Sequence, residues 1–291
     1  MNKVVLKAKA KVNLSLDVVG IREDGYHEMK MINHLIELDD ILTFESCATG
    51  ISLTSNEDTI PLDERNLVIK AAHKLQRQFD VKQGAKIHLE KRIPTQAGLA
   101  GGSSDAAAAL NGLNRLWQLG LTQSELLAIG VTIGADVPYC LVGGTALVEG
   151  IGEKITPLKD LRKMIVLVVK PDIDIATPWA FKKLDESMIE NHPDIPEIIK
   201  LLQDDAYDML KMKLGNVFEA VAFAEYPEIK TVKNQMMEQG ALAAVMTGSG
   251  STVIGYYQNH ELAEKSWRFF KENYTMCFLS KTEEGENDVG R

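Results

Sequence analysis

Polar and apolar residues alternate along "KVVLKAKAKVNLSLDVVG" (3–20), with Val4, Leu6, Ala8 and Ala10 on one face. This period of two predicts a β-strand. The Asp24-Gly25 pair that follows is a strong hairpin signal. "MKMINHLIELDDILTFE" (29–45) and "GISLTS" (50–55) read as further strands, so the chain is expected to open as a β-meander. Over 64–79 the period lengthens, and Leu67, Ala71, Leu75 and Phe79 fall on one side of an amphipathic helix. "GAKIHLEKRIP" (84–94) alternates again and is ended by Pro94.

A stretch dense in small residues comes next, "PTQAGLAGGSSDAAAALNGL" (94–113). From Ser103 onward its period is helical: Ala106, Leu110, Leu113 and Trp117 share a face, and Gly120 supplies the stop. "TQSELLAIGVTIG" (122–134) predicts a second helix with a capping box between Thr122 and Glu125. "GGTALVEGIGEKITPL" (143–158) reads as a hairpin. A new section starts near residue 160 with the buried strand "MIVLVVKP" and helices at "PWAFKKLDE" and "IPEIIKLLQ". A helix-rich stretch follows over 206–240. "ALAAVMTGSGSTVIGYY" (241–257) then reads as strand, glycine-rich turn, strand. A helix at 259–274 and a strand at 276–282 close the pattern, and the last residues, 283–291, are expected to fray.

Composition narrows the function classes. The chain has 291 residues, for which two domains is the natural expectation. Its formal charge of −9 disfavours nucleic acid and anionic membrane as partners. Lys3, Lys7, Lys9 and Lys11 nonetheless form a local cationic cluster able to meet a small anion. Cys47, Cys140 and Cys277 are odd in number and far apart, which suits reduced thiols, with Cys140 expected in the core. The amino end has no apolar block of the secretory kind, and "MIVLVV" is too short to span a bilayer. The expected location is the cytoplasm.

The loop at 94–104 invites two readings. It is neither a Gly-Lys-Ser/Thr phosphate loop nor a Gly-x-Gly-x-x-Gly turn. Its place, after a strand and before a helix, suits an anion, because free N–H groups and the helix dipole meet there. Gly98, Gly101 and Gly102 would admit the anion close to the backbone, and Ser103 and Ser104 would add hydroxyls. The same residues also suit a tight turn before an alanine-rich helix packed closely on a sheet. A second glycine-rich turn, "TGSGST" (247–252), adds weight to the first reading.

Four stretches taken together carry a resemblance: "AKVNLSLDVVGIREDGYHEM" (10–29), the loop and helix over 94–117, "GADVPYCLVGGTALVEGIGE" (134–153) and "MTGSGSTV" (246–253). In this order and spacing the chain resembles the GHMP kinases over nearly its whole length. "REDGYHEM" and "GADVPYC" are similar to the branch of that family whose acceptor carries a cytidine diphosphate. The resemblance implies an α+β fold in two domains. Residues 1–157 would form an ATP-binding domain like ribosomal protein S5 domain 2, and 158–291 a ferredoxin-like domain. It implies transfer of the ATP γ-phosphoryl group to the 2-hydroxyl of 4-diphosphocytidyl-2-C-methyl-D-erythritol, a step toward isoprenoid precursors, with Mg²⁺ as cofactor.

The site residues follow from the same resemblance. Asp136 would accept the hydroxyl proton, with Lys11 beside it, orienting the hydroxyl and favouring the carboxylate. From the residues alone, Asp136 reads as a turn residue before Pro138, and Lys11 as a solvated strand lysine. The loop formed by Pro94, Thr95, Gln96, Ala97, Gly98, Leu99, Ala100, Gly101, Gly102, Ser103 and Ser104 would wrap the ATP phosphates, with Asn66 near the adenine and Ser104 as metal ligand. Tyr26 would stack on the cytosine, His27 would bond its edge, and Phe181 would cover its other face. Asn13, Gly248 and Ser249 would bind near the substrate's polar groups, the turn from Gly248 to Ser251 closing over it. His34, His73, His88, His192 and His260 read as structural or solvated. Two positions depart from the family pattern: Lys9 stands where proline is common, and Ala100 where glycine is common. The expected assembly is a monomer or homodimer.

Overall fold

The computed structural model describes residues 2–95, 97–189 and 191–283. Gln96 and 284–291, on which two of the expectations above fall, lie outside the described residues. The chain divides into two compact units that interleave along the sequence. One comprises Met1–Ala10, Leu38–Thr95 and Ala100–Val142; the other comprises Lys11–Glu37, Gln96–Leu99 and Gly143–Arg291. Two long strands, β1 (Lys3–Ile21) and β2 (His27–Cys47), contribute a segment to each. Burial alternates along β1 as far as Ala10 and is then continuous from Lys11 to Asp17.

In the first unit, β3 (Ile51–Ser55) pairs in parallel with β4 (Gly84–Glu90), and β4 pairs antiparallel with Ile41–Cys47 of β2. The expected meander is therefore not formed, because β4 lies between β2 and β3. Parallel neighbours need a crossover, and the helix α1 (Leu67–Gln78) supplies it. Hydrophobic alternation locates strands but does not choose their neighbours.

Helix α2 (Gly101–Leu116) starts two residues before the expected Ser103, because Gly101 and Gly102 already form its first turn. Its apolar face behaves as expected: Ala106, Leu110 and Leu113 are fully buried with Phe44 and Leu42 of β2 and Val68 and Leu75 of α1. Cys140 packs against the same core from a partly buried position. Helix α3 (Gln123–Gly130) has the full capping box at Thr122 and Glu125. A short helix, α4 (Val137–Val142), stands where Pro138 suggested a turn. Proline is tolerated in a first helical turn, where its missing N–H has no intrahelical partner to lose.

In the second unit, β5 (Ala146–Gly150) pairs with Met29–Asn33 of β2 and with β6 (Lys154–Pro157), the expected hairpin. The four remaining strands form an antiparallel sheet. They are β7 (Ile165–Lys170), β8 (Ala243–Met246), β9 (Val253–Tyr257) and β10 (Met276–Lys281), in the order β10-β7-β9-β8. Between β7 and β8 run α5 (Thr177–Asp185), α6 (Ile195–Gln203), α7 (Tyr207–Leu210), α8 (Glu219–Glu225) and α9 (Pro227–Glu238). Helix α10 (His260–Lys271) joins β9 to β10. The strand order, with helical crossovers after the first and third strands, is the ferredoxin-like arrangement. His34 is buried among these elements, its Nε2 2.7 Å from the Tyr256 hydroxyl, and burial pushes its pKa down to about 4. Of the histidines read as structural or solvated, this one is plainly structural.

Gly112 sets how closely α2 approaches the sheet. A β-carbon there would stand 2.4 Å from Cε2 of Phe44, a fully buried ring. Gly112→Ala gains about 1 kcal/mol of helix propensity but overpacks the core, at a cost of roughly 1–3 kcal/mol and more where a ring must move. The expected result is a net loss of stability, read as a lower urea midpoint with unchanged slope.

Candidate active site

Three helix starts converge in the first unit. Asn66 caps α1: its Oδ1 accepts from Val68 N at 2.9 Å, and its Nδ2 donates to Pro61 O at 2.8 Å. Helix α2 begins at Ala100, which has no side-chain cap. Its first N–H groups are left to solvent or a ligand, and Gly102 is exposed. Helix α4 begins directly after Asp136, whose carbonyl accepts from Cys140 N at 3.1 Å. A β-carbon on Gly102 or on Gly134 would sit 3.9 Å from Leu67 Cδ1, and the one on Gly134 3.8 Å from Ser103 Oγ. Gly102, Ser103 and Gly134, far from α1 in sequence, are thus grouped around Leu67, which follows Asn66; Gly134 stands two residues before Asp136. Helix N-termini carry positive partial charge, so this grouping favours an anion.

Ala100 occupies the left-handed region, with φ 54° and ψ 28°. A side chain there costs about 1 kcal/mol that glycine would not. That is the physical meaning of alanine replacing the family's common glycine: a strained but passable turn. Ser104 is buried, and its hydroxyl donates to Lys9 O at 2.7 Å. Lys9 and Ser104 thereby tie β1 to the first turn of α2.

Behind α2 lies a buried charged cluster that the sequence did not announce. Lys91 Nζ meets Asp105 Oδ2 at 2.8 Å and also donates to Asp40. Asp40 Oδ1 accepts from the backbone of Arg92 at 2.5 Å and of Ile93 at 2.7 Å, which fixes the chain just before the glycine loop. A β-carbon at Gly101 would stand 2.9 Å from Lys91 Nζ and 3.0 Å from Ile93 Cγ2, so a side chain there would have to displace the end of Lys91. Asp105 Oδ1 is buried without a hydrogen-bond partner. Burial pushes the Asp105 pKa up to about 8, against the pull of Lys91 and with the push of Asp40.

In the second unit the glycine-rich turn after β8 is held by two asparagine side chains. Asn13 is fully buried; its Oδ1 accepts from Gly248 N at 2.8 Å and from Thr247 Oγ1 at 3.1 Å. Lys11, also buried, donates to the same oxygen at 3.3 Å. The Asn13 amide donates to Asn33 Oδ1 at 2.6 Å. Asn216 grips the other side, donating to the carbonyls of Met246 at 2.7 Å and Gly248 at 2.8 Å. Asn13 was expected among substrate contacts; its amide is instead spent inside the protein, on the turn. Lys11 is not the solvated strand lysine that its neighbours suggested. The segment Ala97, Gly98 and Leu99 runs alongside: Leu99 O accepts from Lys11 N at 3.1 Å, and a β-carbon on Gly98 would meet Thr247 O at 3.1 Å. The two glycine-rich stretches that the sequence paired are therefore in contact. Pro94 and Thr95 belong to the first unit, while Gln96 is not described.

The hairpin of Asp24-Gly25 presents Tyr26, which is 62% exposed. The Arg22 guanidinium beside Asp24 holds that carboxyl below the usual carboxylate range and stiffens the turn. His27 Nε2 lies 2.8 Å from Asp185 Oδ1, and its ring stacks on Phe181 with centroids 4.3 Å apart. Phe181 meets Phe218 edge-on at 5.0 Å. Phe181 was expected across the base from Tyr26; here it faces His27. Thr177 Oγ1 lies 3.2 Å from Ser249 Oγ. Sequence reasoning missed Asp185, Thr177, Asn216 and the Lys91 cluster. The spacing of Thr177, Phe181 and Asp185 by fours was the visible signal.

The chain is similar to known proteins over most of its length. Residues 66–144 match the family described as GHMP kinases N terminal domain, and residues 180–275 match GHMP kinases C terminal. The chain is 45% identical, over 95% of its length and 99% of the relative's, to a 4-diphosphocytidyl-2-C-methyl-D-erythritol kinase of Clostridium tetani. A crystal structure of 4-(cytidine 5'-diphospho)-2C-methyl-D-erythritol kinase superposes with TM-score 0.83 and 31% identity, covering 97% of this chain and 100% of that one. A homoserine kinase from Cytophaga hutchinsonii superposes with TM-score 0.80 over 98% of this chain and 95% of its own, at 18% identity, which shows the shared fold.

Asp105 should make stability fall toward alkaline pH. Its folded pKa of about 8 exceeds the unfolded value near 4. Its contribution is therefore complete below about pH 4 and is lost as pH rises through 8. Asp105→Asn should remove this slope, gaining roughly 1–3 kcal/mol on the wild type between pH 5.5 and 8.5. Urea melts of both proteins across that range test it, and His34, common to both, drops out of the difference.

Proposed function

The chain belongs to the GHMP kinases, and from that premise we propose that it phosphorylates the 2-hydroxyl of 4-diphosphocytidyl-2-C-methyl-D-erythritol with ATP. As a member of the family it is an ATP-dependent small-molecule kinase. The substrate assignment is supported by relatives at 40–45% identity that carry this enzyme's name. One observation carries the phosphate site: the open start of α2, grouped with the starts of α1 and α4 around Leu67.

In the reaction, the substrate's 2-oxygen attacks the γ-phosphorus while the bond from that phosphorus to the β,γ-bridging oxygen breaks, releasing ADP. Asp136 receives the hydroxyl proton, and Lys11 orients the hydroxyl and balances charge. Positioning and electrostatics supply most of the barrier reduction in such transfers. The loop from Pro94 to Ser104 cradles the phosphates, and Asn66 stands near the adenine. Mg²⁺ would sit on phosphate oxygens, with Ser104 as its protein ligand. That donor fits, because Ser104 gives its proton to Lys9 O and keeps its lone pairs. Gly248 and Ser249 form the rim of the glycine-rich turn, and Asn13 serves by holding that turn in place. Tyr26 provides the stacking face for the cytosine, His27 its hydrogen-bonding edge, and Phe181 the aromatic wall behind His27.

We also read residues 1–157 and 158–291 as the two functional domains. The two family matches support this, since one falls in each. The protein is read as cytoplasmic and as a monomer or homodimer, without nucleic-acid or membrane partners. The negative net charge disfavours nucleic acid and anionic membrane, and among the described residues no helix is long and apolar enough to cross a membrane.

ADP release with Mg-ATP tests the substrate, comparing the cytidyl acceptor with mevalonate, homoserine and no acceptor. Release with the cytidyl acceptor alone is expected; release with another alcohol would overturn the roles of Tyr26 and His27. Asp136→Asn should lower kcat by about 10²–10⁴ with ATP binding retained, and near-normal turnover would remove it as the base. Tyr26→Ala should raise the KM for the acceptor at little cost in kcat, on the scale of one base–aromatic stack, about 1–3 kcal/mol. Excess chelator should abolish turnover.

A further inference from the structure

One face of α5 does three things in consecutive turns. Thr177 bonds Ser249 of the glycine-rich turn, Phe181 stacks on the His27 ring, and Asp185 takes that ring's Nε2. Residues four apart on a helix share a face, so the three contacts come from one rigid edge. The imidazole is thereby held at its face and at one nitrogen together. Its side chain is only 14% exposed.

We propose that Asp185 is a positioning residue that decides which pyrimidine the site accepts, by holding His27 as the Nε2–H tautomer. This deepens the reading of His27 given above and rests on it. A carboxylate only accepts hydrogen bonds, so the nitrogen 2.8 Å from Asp185 carries the proton. In the neutral ring the other nitrogen, Nδ1, is then a bare acceptor. An acceptor complements the exocyclic 4-amino group of cytosine and opposes the 4-oxo group of uracil. Turning the ring over within the stack would break the Asp185 bond. Phe181 fixes the plane, Asp185 fixes the proton, and the pyrimidine is chosen by the consequence. Thr177 adds registry, because it anchors the helix that sets the imidazole to the glycine-rich turn.

The full-length protein tests this. kcat/KM is measured for the cytidine-diphosphate acceptor and for its uridine-diphosphate analogue in the wild type, Asp185→Leu and Asp185→Asn. Asp185 is at a helix end with its side chain 41% exposed, so both variants should fold. Asp185→Leu is expected to lower the cytidine-to-uridine ratio by about tenfold or more, through the KM of the cytidine acceptor, with kcat within about threefold. Asp185→Asn, whose amide oxygen still accepts from Nε2–H, is expected to restore most of the ratio. Long-range ¹H–¹⁵N correlations should show His27 as Nε2–H in the wild type and as a mixture in Asp185→Leu. A ratio unchanged in Asp185→Leu, or a wild-type His27 protonated at Nδ1, overturns the role of Asp185 while leaving His27 as base contact. A wild type that does not distinguish the two acceptors overturns the His27 reading itself, and this proposal with it.

Discussion

The seating of α2 on its sheet is the constraint from which the proposed phosphate site follows. Gly112 brings the helix against Phe44, and the buried run Ala106 to Ala109 keeps it there. Small residues allow a close approach, and a close approach fixes a rigid axis. The N-terminus of that axis is where Gly101, Gly102 and Ser103 present their N–H groups. The two readings of the alanine-rich stretch are therefore not rivals: the spacer residues aim the cradle. A bulkier helix face would move the amides that meet the anion.

Two different chemistries hold the two glycine-rich stretches. Before α2, charges are buried: Asp40 grips the chain at Arg92 and Ile93, while Lys91 joins it to Asp105. The turn after β8 is held by neutral amides, Asn13 and Asn216, which satisfy the N–H and the C=O of Gly248. The charged cluster is exposed to pH, since burial opposes ionisation of Asp105. Amides do not titrate, so the two bonds to Gly248 have no pH dependence of their own.

The groups proposed to act are held by other residues of the chain. Ser104 is tied to the Lys9 carbonyl, Gly248 to Asn13 and Asn216, and His27 to Asp185 and Phe181. Such holding lets small groups act with little reorganisation, which phosphoryl transfer demands.

Sequence by itself determined what depends on neighbours along the chain. The strand periods, the capping box at Thr122 and Glu125, the hairpin at Asp24-Gly25 and the apolar face of α2 were legible because each is set by residues within a few positions. The family motifs marked Lys11, Asp136 and both glycine-rich stretches for the same reason: their residues are contiguous. Tertiary structure decided the rest. It placed β4 between β2 and β3, buried Lys11, turned Asn13 inward, and set Asp185 on His27, 158 residues away in the sequence. Those outcomes depend on which surfaces meet when apolar faces are buried, and no local pattern encodes a partner that distant. Alternation says that a strand has an inside; only the folded chain says what the inside touches.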